Sequence, residues 1–96
     1  MKTPVVLKDN YTIYLEFFSN HLWIHVDVRN WTAKIKKEFK EDVDTLIKLV
    51  NRPLLAFIVE DNVKLLKFAK LFKWKQKATT HAKDGKLAFI YVSHEM

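Results

Sequence analysis

The chain has 96 residues, of which 49% are hydrophobic, 14% aromatic and 29% charged. This length provides one modest hydrophobic core, and the aromatic content excludes a disordered chain, so we expect a single domain over residues 1–96. The formal net charge of +6 favours anionic partners, and the absence of cysteine excludes disulfides, thiolate nucleophiles and cysteine-ligated metals.

The first third of the chain is predicted to form strands. Residues 5–7 are a short apolar run, and residues 11–18 and 22–28 alternate apolar and polar side chains as half-buried strands do. In the second of these strands Trp23, His25 and Asp27 share one face. The short polar segments 8–10 and 19–21 are predicted turns.

The rest of the chain alternates helices and strands. Apolar residues spaced by three and four predict a helix over 32–50, with Asn30 or Thr32 as its N-cap. Residues 54–60 form a nearly continuous apolar strand, too short for the roughly 20 residues of a membrane span. Asp61 or Asn62 begins a second helix that reaches Phe72.

Residues 74–80 and 86–92 are predicted to form a C-terminal hairpin, with a type I′ turn at Asp84 and Gly85. The order of elements is therefore ββ-α-β-α-ββ. Strand 22–28, the first helix and strand 54–60 form a right-handed βαβ unit with parallel strands. The fold class predicted is α/β with a mixed sheet.

This order, together with the segment 61–74, resembles the C-terminal part of the GNAT acyltransferase superfamily over roughly residues 22–92. Asn62 matches the Asn that precedes a short helix in that family, Trp74 stands where its Phe would be, and Lys73 replaces its Gly. The chain is also similar to small GNAT-like proteins of short-tailed bacteriophages, including a family of internal virion proteins.

The resemblance implies a place for acetyl-CoA, because GNAT enzymes hold its diphosphate on a glycine-rich turn before the crossover helix. The matching segment 28–34 contains no glycine, and Trp31 would crowd the approach of the backbone to phosphate. The Tyr that often protonates the departing thiolate in that family falls at Ala69. We therefore expect no cofactor, with acetyl-CoA as the alternative.

If coenzyme A binds, the cofactor candidates lie beside the crossover helix and at the second helix: Arg29, Asn30, Thr32, Lys34 and Asn62. If the protein is an enzyme, it would be an acyl-CoA N-acyltransferase with Glu60 as general base, His25 oriented by Asp27, and Tyr91 as a proton donor. The alternatives are a polar sheet face for His25, a helix-dipole carboxylate for Glu60 and a core ring for Tyr91. We expect no metal, since His21, His25 and Asp27 are loosely spaced.

Lysines recur along one face of the second helix and just beyond it. We call this set the lysine ridge: Lys64, Lys67, Lys70 and Lys73. With Trp74 available for stacking, the ridge predicts binding to nucleic acid or another acidic partner. The alternative is a solvated helix face.

Three functions follow from this sequence. The first is a phage-type GNAT-fold protein without standard acetyl transfer, which binds in the virion or to a host component. The second is an active acetyl-CoA-dependent N-acetyltransferase, and the third is a basic nucleic-acid-binding domain. We expect a protein partner or virion component, a homo-oligomer buried through Trp23 and Trp31, and a location in the host cytoplasm or the virion.

Overall fold

The computed structural model describes residues 1–94. The predicted order of elements is confirmed, and one further strand precedes it at the N-terminus. The elements are β1 (Thr3–Leu7), β2 (Tyr11–Phe18), β3 (His21–Val28), α1 (Ala33–Val50), β4 (Leu54–Val59), α2 (Val63–Leu71), β5 (Lys75–His81) and β6 (Leu87–Val92). The mixed α/β class is confirmed. No helix within residues 1–94 is long and apolar enough to cross a membrane.

The chain forms two compact units, and the division between them in the sequence falls between Arg52 and Pro53. In the first unit β2 pairs antiparallel with both β1 and β3. The added strand β1 is mostly exposed, so it lacks the alternating burial pattern that predicts a strand from sequence.

One face of the first unit's strands packs against α1. Tyr11 and Ile13 on this face are fully buried, and the Tyr11 ring meets Phe39 of α1 edge to face with centroids 5.2 Å apart. Since successive strand residues alternate between faces, Glu16, Trp23 and His25 lie on the opposite face. This opposite face is the polar one.

A two-residue turn joins β2 to β3. Ser19 and Asn20 both adopt positive φ, at 54° and 63°, which is the conformation of a type I′ turn. Arg52 donates to the Asn20 carbonyl at 2.9 Å and lies over the Phe17 ring at 5.4 Å. Arg52, two residues beyond the end of α1, thus supports the tip of this hairpin.

Helix α1 begins and ends on capping residues. Of the two predicted N-caps, Thr32 is the cap, and its hydroxyl accepts from the Ile35 N–H at 3.2 Å. The helix ends at Asn51 in the left-handed region, φ 52°, whose N–H donates to Ile47. Of the six apolar positions whose spacing predicts α1, four are buried, Ile35, Phe39, Val43 and Leu46, and two are half-buried, Ile47 and Val50.

The second unit contains β4, β6 and β5, hydrogen-bonded in that order, with both pairings antiparallel. Strand β4 is buried over most of its length, as its apolar run predicts, although Phe57 is 43% exposed. Asn62 caps α2, since its side-chain oxygen accepts from the Leu65 N–H at 3.4 Å.

Helix α2 ends in a Schellman motif. The Trp74 N–H donates to the Ala69 carbonyl at 2.8 Å, and the Lys73 N–H donates to the Lys70 carbonyl at 3.2 Å. Lys73 occupies the left-handed position with φ 63°. The Trp74 and Phe68 rings pack edge to face with their centroids 6.2 Å apart, which is the apolar contact that accompanies this motif.

The turn between β5 and β6 differs from the predicted type I′ turn. Only Gly85 has positive φ, 89°, and its N–H donates to the Ala82 carbonyl at 3.0 Å. The Ala82 N–H in turn donates to Lys86 across the loop at 2.8 Å. The prediction was wrong because the loop has three residues, 83–85, and such a loop needs one left-handed residue after a type I turn.

Candidate functional site

The guanidinium of Arg29, the first predicted phosphate ligand, is fully engaged within the first unit. Its Nε donates to the Asp9 carbonyl at 3.0 Å, and its Nη1 donates to the Asp27 carboxylate at 3.0 Å. Its Nη2 donates to the Thr12 hydroxyl at 2.9 Å and to the Lys8 carbonyl. Arg29 therefore ties the end of β3 to the turn between β1 and β2, and a phosphate would compete with four acceptors already in place.

The remaining residues of the crossover loop are also occupied. Asn30 donates through Nδ2 to the Asn10 side chain at 2.9 Å, and its N–H donates to the Asn10 carbonyl at 3.2 Å. The Trp31 indole packs edge to face on Phe39, with centroids 5.6 Å apart. Thr32 is the cap of α1. Hydrogen bonds and ring packing inside the unit use each of these side chains.

These contacts do not suit a diphosphate cradle. Such a cradle needs close backbone approach and free N–H groups, whereas residues 28–34 carry a Cβ at every position and the N–H groups of Arg29 and Asn30 already donate to Asn10. Lys34 is the exception, because it is exposed and makes no ion pair among residues 1–94. Coenzyme binding at this loop stays a prediction.

His25 pairs with a residue that the sequence did not single out. Its Nε2 lies 2.9 Å from Oε1 of Glu16, and each of these side chains is 27% exposed. The predicted partner, Asp27, binds Arg29 instead. The prediction was wrong because cross-strand register, with Tyr14 opposite His25, brings Glu16 diagonally within reach.

The His25–Glu16 pair sits on the polar face beside the N-terminus. The amino group of Met1 lies 3.3 Å from Glu16 Oε2, and the hydrogen bond from His25 lowers the pKa of Glu16 below its usual value. Such a pair can hold a proton, but no group of three His, Asp or Glu side chains within residues 1–94 is arranged to bind a metal ion. The hairpin turn at Ser19 and Asn20 is the sequence signal that could have placed Glu16 near His25.

A second network joins β2, α1 and the first turn. The Tyr11 hydroxyl donates to Asp42 Oδ2, and Lys8 Nζ approaches the same oxygen at 2.8 Å. Burial and the hydrogen bond to Asp42 raise the pKa of Tyr11 to about 12, and the contact with Asp42 raises the pKa of Lys8. These three groups satisfy one another and stabilise the contact between strand and helix.

The catalytic candidates of the second unit are also engaged or buried. The Glu60 carboxylate accepts from the Leu87 N–H, while the Glu60 N–H donates to the Leu87 carbonyl at 2.8 Å. Tyr91 is 4% exposed, and Ala69, at the position of the family's Tyr, is 1% exposed. Glu60 closes the end of the β4–β6 pair, and a base role would require it to release Leu87.

The lysine ridge is exposed, as predicted. All four of its side chains lie at the surface and none forms an ion pair with another described residue. Trp74, the predicted stacking residue, is half-buried against Phe68, so only part of its indole remains accessible. The ridge itself is the largest group of free charged side chains on α2.

Comparison with known proteins supports the fold. No protein-family model and no curated protein sequence matches the chain. Among solved structures, it is similar to one whose description reads "Putative GnaT-family acetyltransferase from Bordetella pertussis", with a TM-score of 0.68 and 12% identity. The match covers 85% of this chain and 56% of the other, so the chain corresponds to little more than half of that protein. The chain therefore has a GNAT-like fold.

Proposed function

We propose that this chain is a small phage-type GNAT-fold protein that acts by binding, in the virion or to a host component, and does not perform standard acetyl transfer. The observation that carries this proposal is the occupied crossover loop. The side chains of Arg29, Asn30 and Thr32 form hydrogen bonds within the protein, and the Trp31 ring packs on Phe39. A loop built in this way stabilises the fold and leaves little with which to hold diphosphate.

The acid–base groups support the same proposal. Transfer to an amine requires a base that takes its proton and an acid that protonates the thiolate. Ala69 has no proton to give, and Glu60 is hydrogen-bonded to Leu87. His25 and Glu16 form an acid–base pair on the polar face of the first unit, where Glu16 also contacts the Met1 amino group.

The alternative is an acetyl-CoA-dependent N-acetyltransferase, and one observation favours it. The structural neighbour is described as an acetyltransferase of the GNAT family. Lys34, near the N-terminus of α1, is the residue of the loop best placed to reach an anionic ligand, since its ammonium is unpaired among residues 1–94.

A titration with acetyl-CoA separates the two. We expect no saturable heat in calorimetry, no thermal stabilisation and no release of free thiol with a panel of amines. A ligand at a hundredfold its Kd would add about 2.7 kcal/mol of stability, which a melting curve detects easily. Saturable binding that Lys34→Gln weakens, while the control Lys48→Gln at the other end of α1 leaves it unchanged, would refute the proposal.

The partner and the assembly state belong to the same proposal. Trp23 donates its indole N–H to the Phe18 carbonyl at 3.1 Å and Trp31 packs on Phe39, so both rings have intramolecular contacts while remaining half-buried. A homo-oligomer through these rings predicts a dimer in sedimentation velocity that Trp23→Ala dissociates. A monomer at all concentrations would reject the homo-oligomer and leave a different virion or host component as the binding partner.

A further inference from the structure

The positive charge of the protein is concentrated in the second unit. Residues 1–52 carry nine basic and seven acidic side chains, a near balance. Residues 53–96 carry eight lysines, no arginine and four acidic side chains. An electrostatic partner is therefore expected at the second unit.

The three acidic residues that the structure describes in this unit, Glu60, Asp61 and Asp84, gather around a single lysine, Lys86. Its Nζ lies 2.6 Å from Asp61 and 3.9 Å from Asp84, and Glu60 adds to the same field. These neighbours, Asp61 first, raise the pKa of Lys86. Asp61 and Asp84 form their ion pairs with Lys86, and no acidic side chain among residues 1–94 forms an ion pair with the lysine ridge.

The ridge has a regular geometry. Phe68 and Ala69 are the buried residues of α2, and the lysines at every third position lie on the exposed side. Three residues advance the helix by about 4.5 Å, and side chains three apart are surface neighbours. Lys73 extends the row past the helix end, where the Schellman hydrogen bond to Lys70 holds its backbone.

Resting on the proposed binding function, we propose that the lysine ridge binds the phosphate backbone of nucleic acid without reading its sequence. A row of unpaired lysines complements the regular charges of a polyanion, and phosphate contacts position a protein without specifying bases. The absence of arginine from this unit removes the side chain most used for base readout.

Other anionic partners suit the ridge less well. Lysine is depleted from protein–protein interfaces, where its solvation must be lost. A membrane surface needs an apolar face to insert, whereas Phe68 and Ala69 of α2 are buried. The exposed Val63 and Leu71 lie at opposite ends of the helix. Binding to nucleic acid requires neither the loss of lysine solvation nor an exposed apolar face.

The experiment is fluorescence anisotropy of labelled duplexes of two unrelated sequences, titrated with the full chain between 50 and 200 mM salt. Four phosphate contacts predict a slope of about −3.6 in log K against log salt, or roughly a 150-fold loss of affinity over this range, equal for both sequences. The double variant Lys67→Gln, Lys70→Gln should lower the slope to about −1.8.

The matched control is Lys37→Gln, Lys48→Gln on α1, which removes the same charge from exposed positions outside the ridge. It should retain the slope and most of the affinity. Equal effects of the two double variants, sequence-selective binding or no duplex binding would each overturn the proposal, as would ridge-dependent binding to phosphatidylserine vesicles alone. The acetyl-CoA titration on the same preparation is independent, so failure of the ridge and failure of the proposed function are distinguishable.

Discussion

Replacement of Lys73 by glycine should stabilise the protein. Lys73 is held at φ 63° by the Schellman motif that ends α2, and a side chain in this region costs roughly 1–2 kcal/mol. Glycine removes that cost. It also lowers the stability of the folded state by about 0.5–1 kcal/mol, because a glycine has more conformational entropy to lose on folding. The net expectation is a gain of about 0.5–1 kcal/mol, or a rise in Tm of roughly 2–8 °C for a chain of this size.

Two control variants separate the backbone effect from the loss of charge. Lys73→Ala removes the same ammonium group but keeps a Cβ in the left-handed region, so it should give no gain. Lys67→Gly makes the same exchange inside α2, where glycine costs about 1 kcal/mol. Thermal and denaturant unfolding measure all three, and a Lys73→Gly variant as unstable as Lys67→Gly would refute the reasoning.

Three further predictions concern single contacts. Tyr11→Phe should cost about 1.5–3 kcal/mol in denaturant unfolding because a hydrogen bond to the ionised Asp42 is lost, and a cost near zero would contradict that bond. Since the pKa of Tyr11 is about 12 when folded and about 10 when unfolded, its contribution is complete below pH 10 and lost as the pH rises toward 12; absorbance of the phenolate against pH should show one late tyrosine. Gly85→Ala should destabilise the hairpin by about 1–2 kcal/mol through backbone strain alone, because no atom lies within 4 Å of the added Cβ, and Gly85→Asn should lose less in the same unfolding assay. Arg29→Lys should lower the free energy of unfolding by about 1–2 kcal/mol, since an ammonium cannot serve four acceptors arranged for a planar fork, and an unchanged stability would show that the loop side chains are free for a ligand.

The crossover loop and the lysine ridge differ in how their polar groups are used. In the first unit, polar groups that a phosphate could use are bound to one another, and the structure gains stability from them. In the second unit, the four ammonium groups of the lysine ridge form no ion pair with any of residues 1–94. Exposed charges of this kind are available to a partner in solution.

The sequence by itself determined the elements of this protein. Apolar spacing of three and four defines α1, alternation defines β2 and β3, and the caps Thr32 and Asn62 stand where side-chain oxygens can accept from the first helical N–H groups. These features depend on residues within one or two turns of each other. The pattern of residues along the chain is therefore enough to predict these helices, strands and caps.

Only the tertiary structure decided which side chains meet. Glu16 contacts His25 across the β2–β3 pair, and the Tyr11 hydroxyl donates to Asp42, 31 positions away in the sequence. Lys86 pairs with Asp61, which follows β4, and with Asp84 of its own turn. Such partners are set by strand register and by packing of α1, which bring these side chains within 4 Å of one another. Lys73 is a similar case, because its left-handed backbone follows from where α2 must stop to place Trp74 on Phe68.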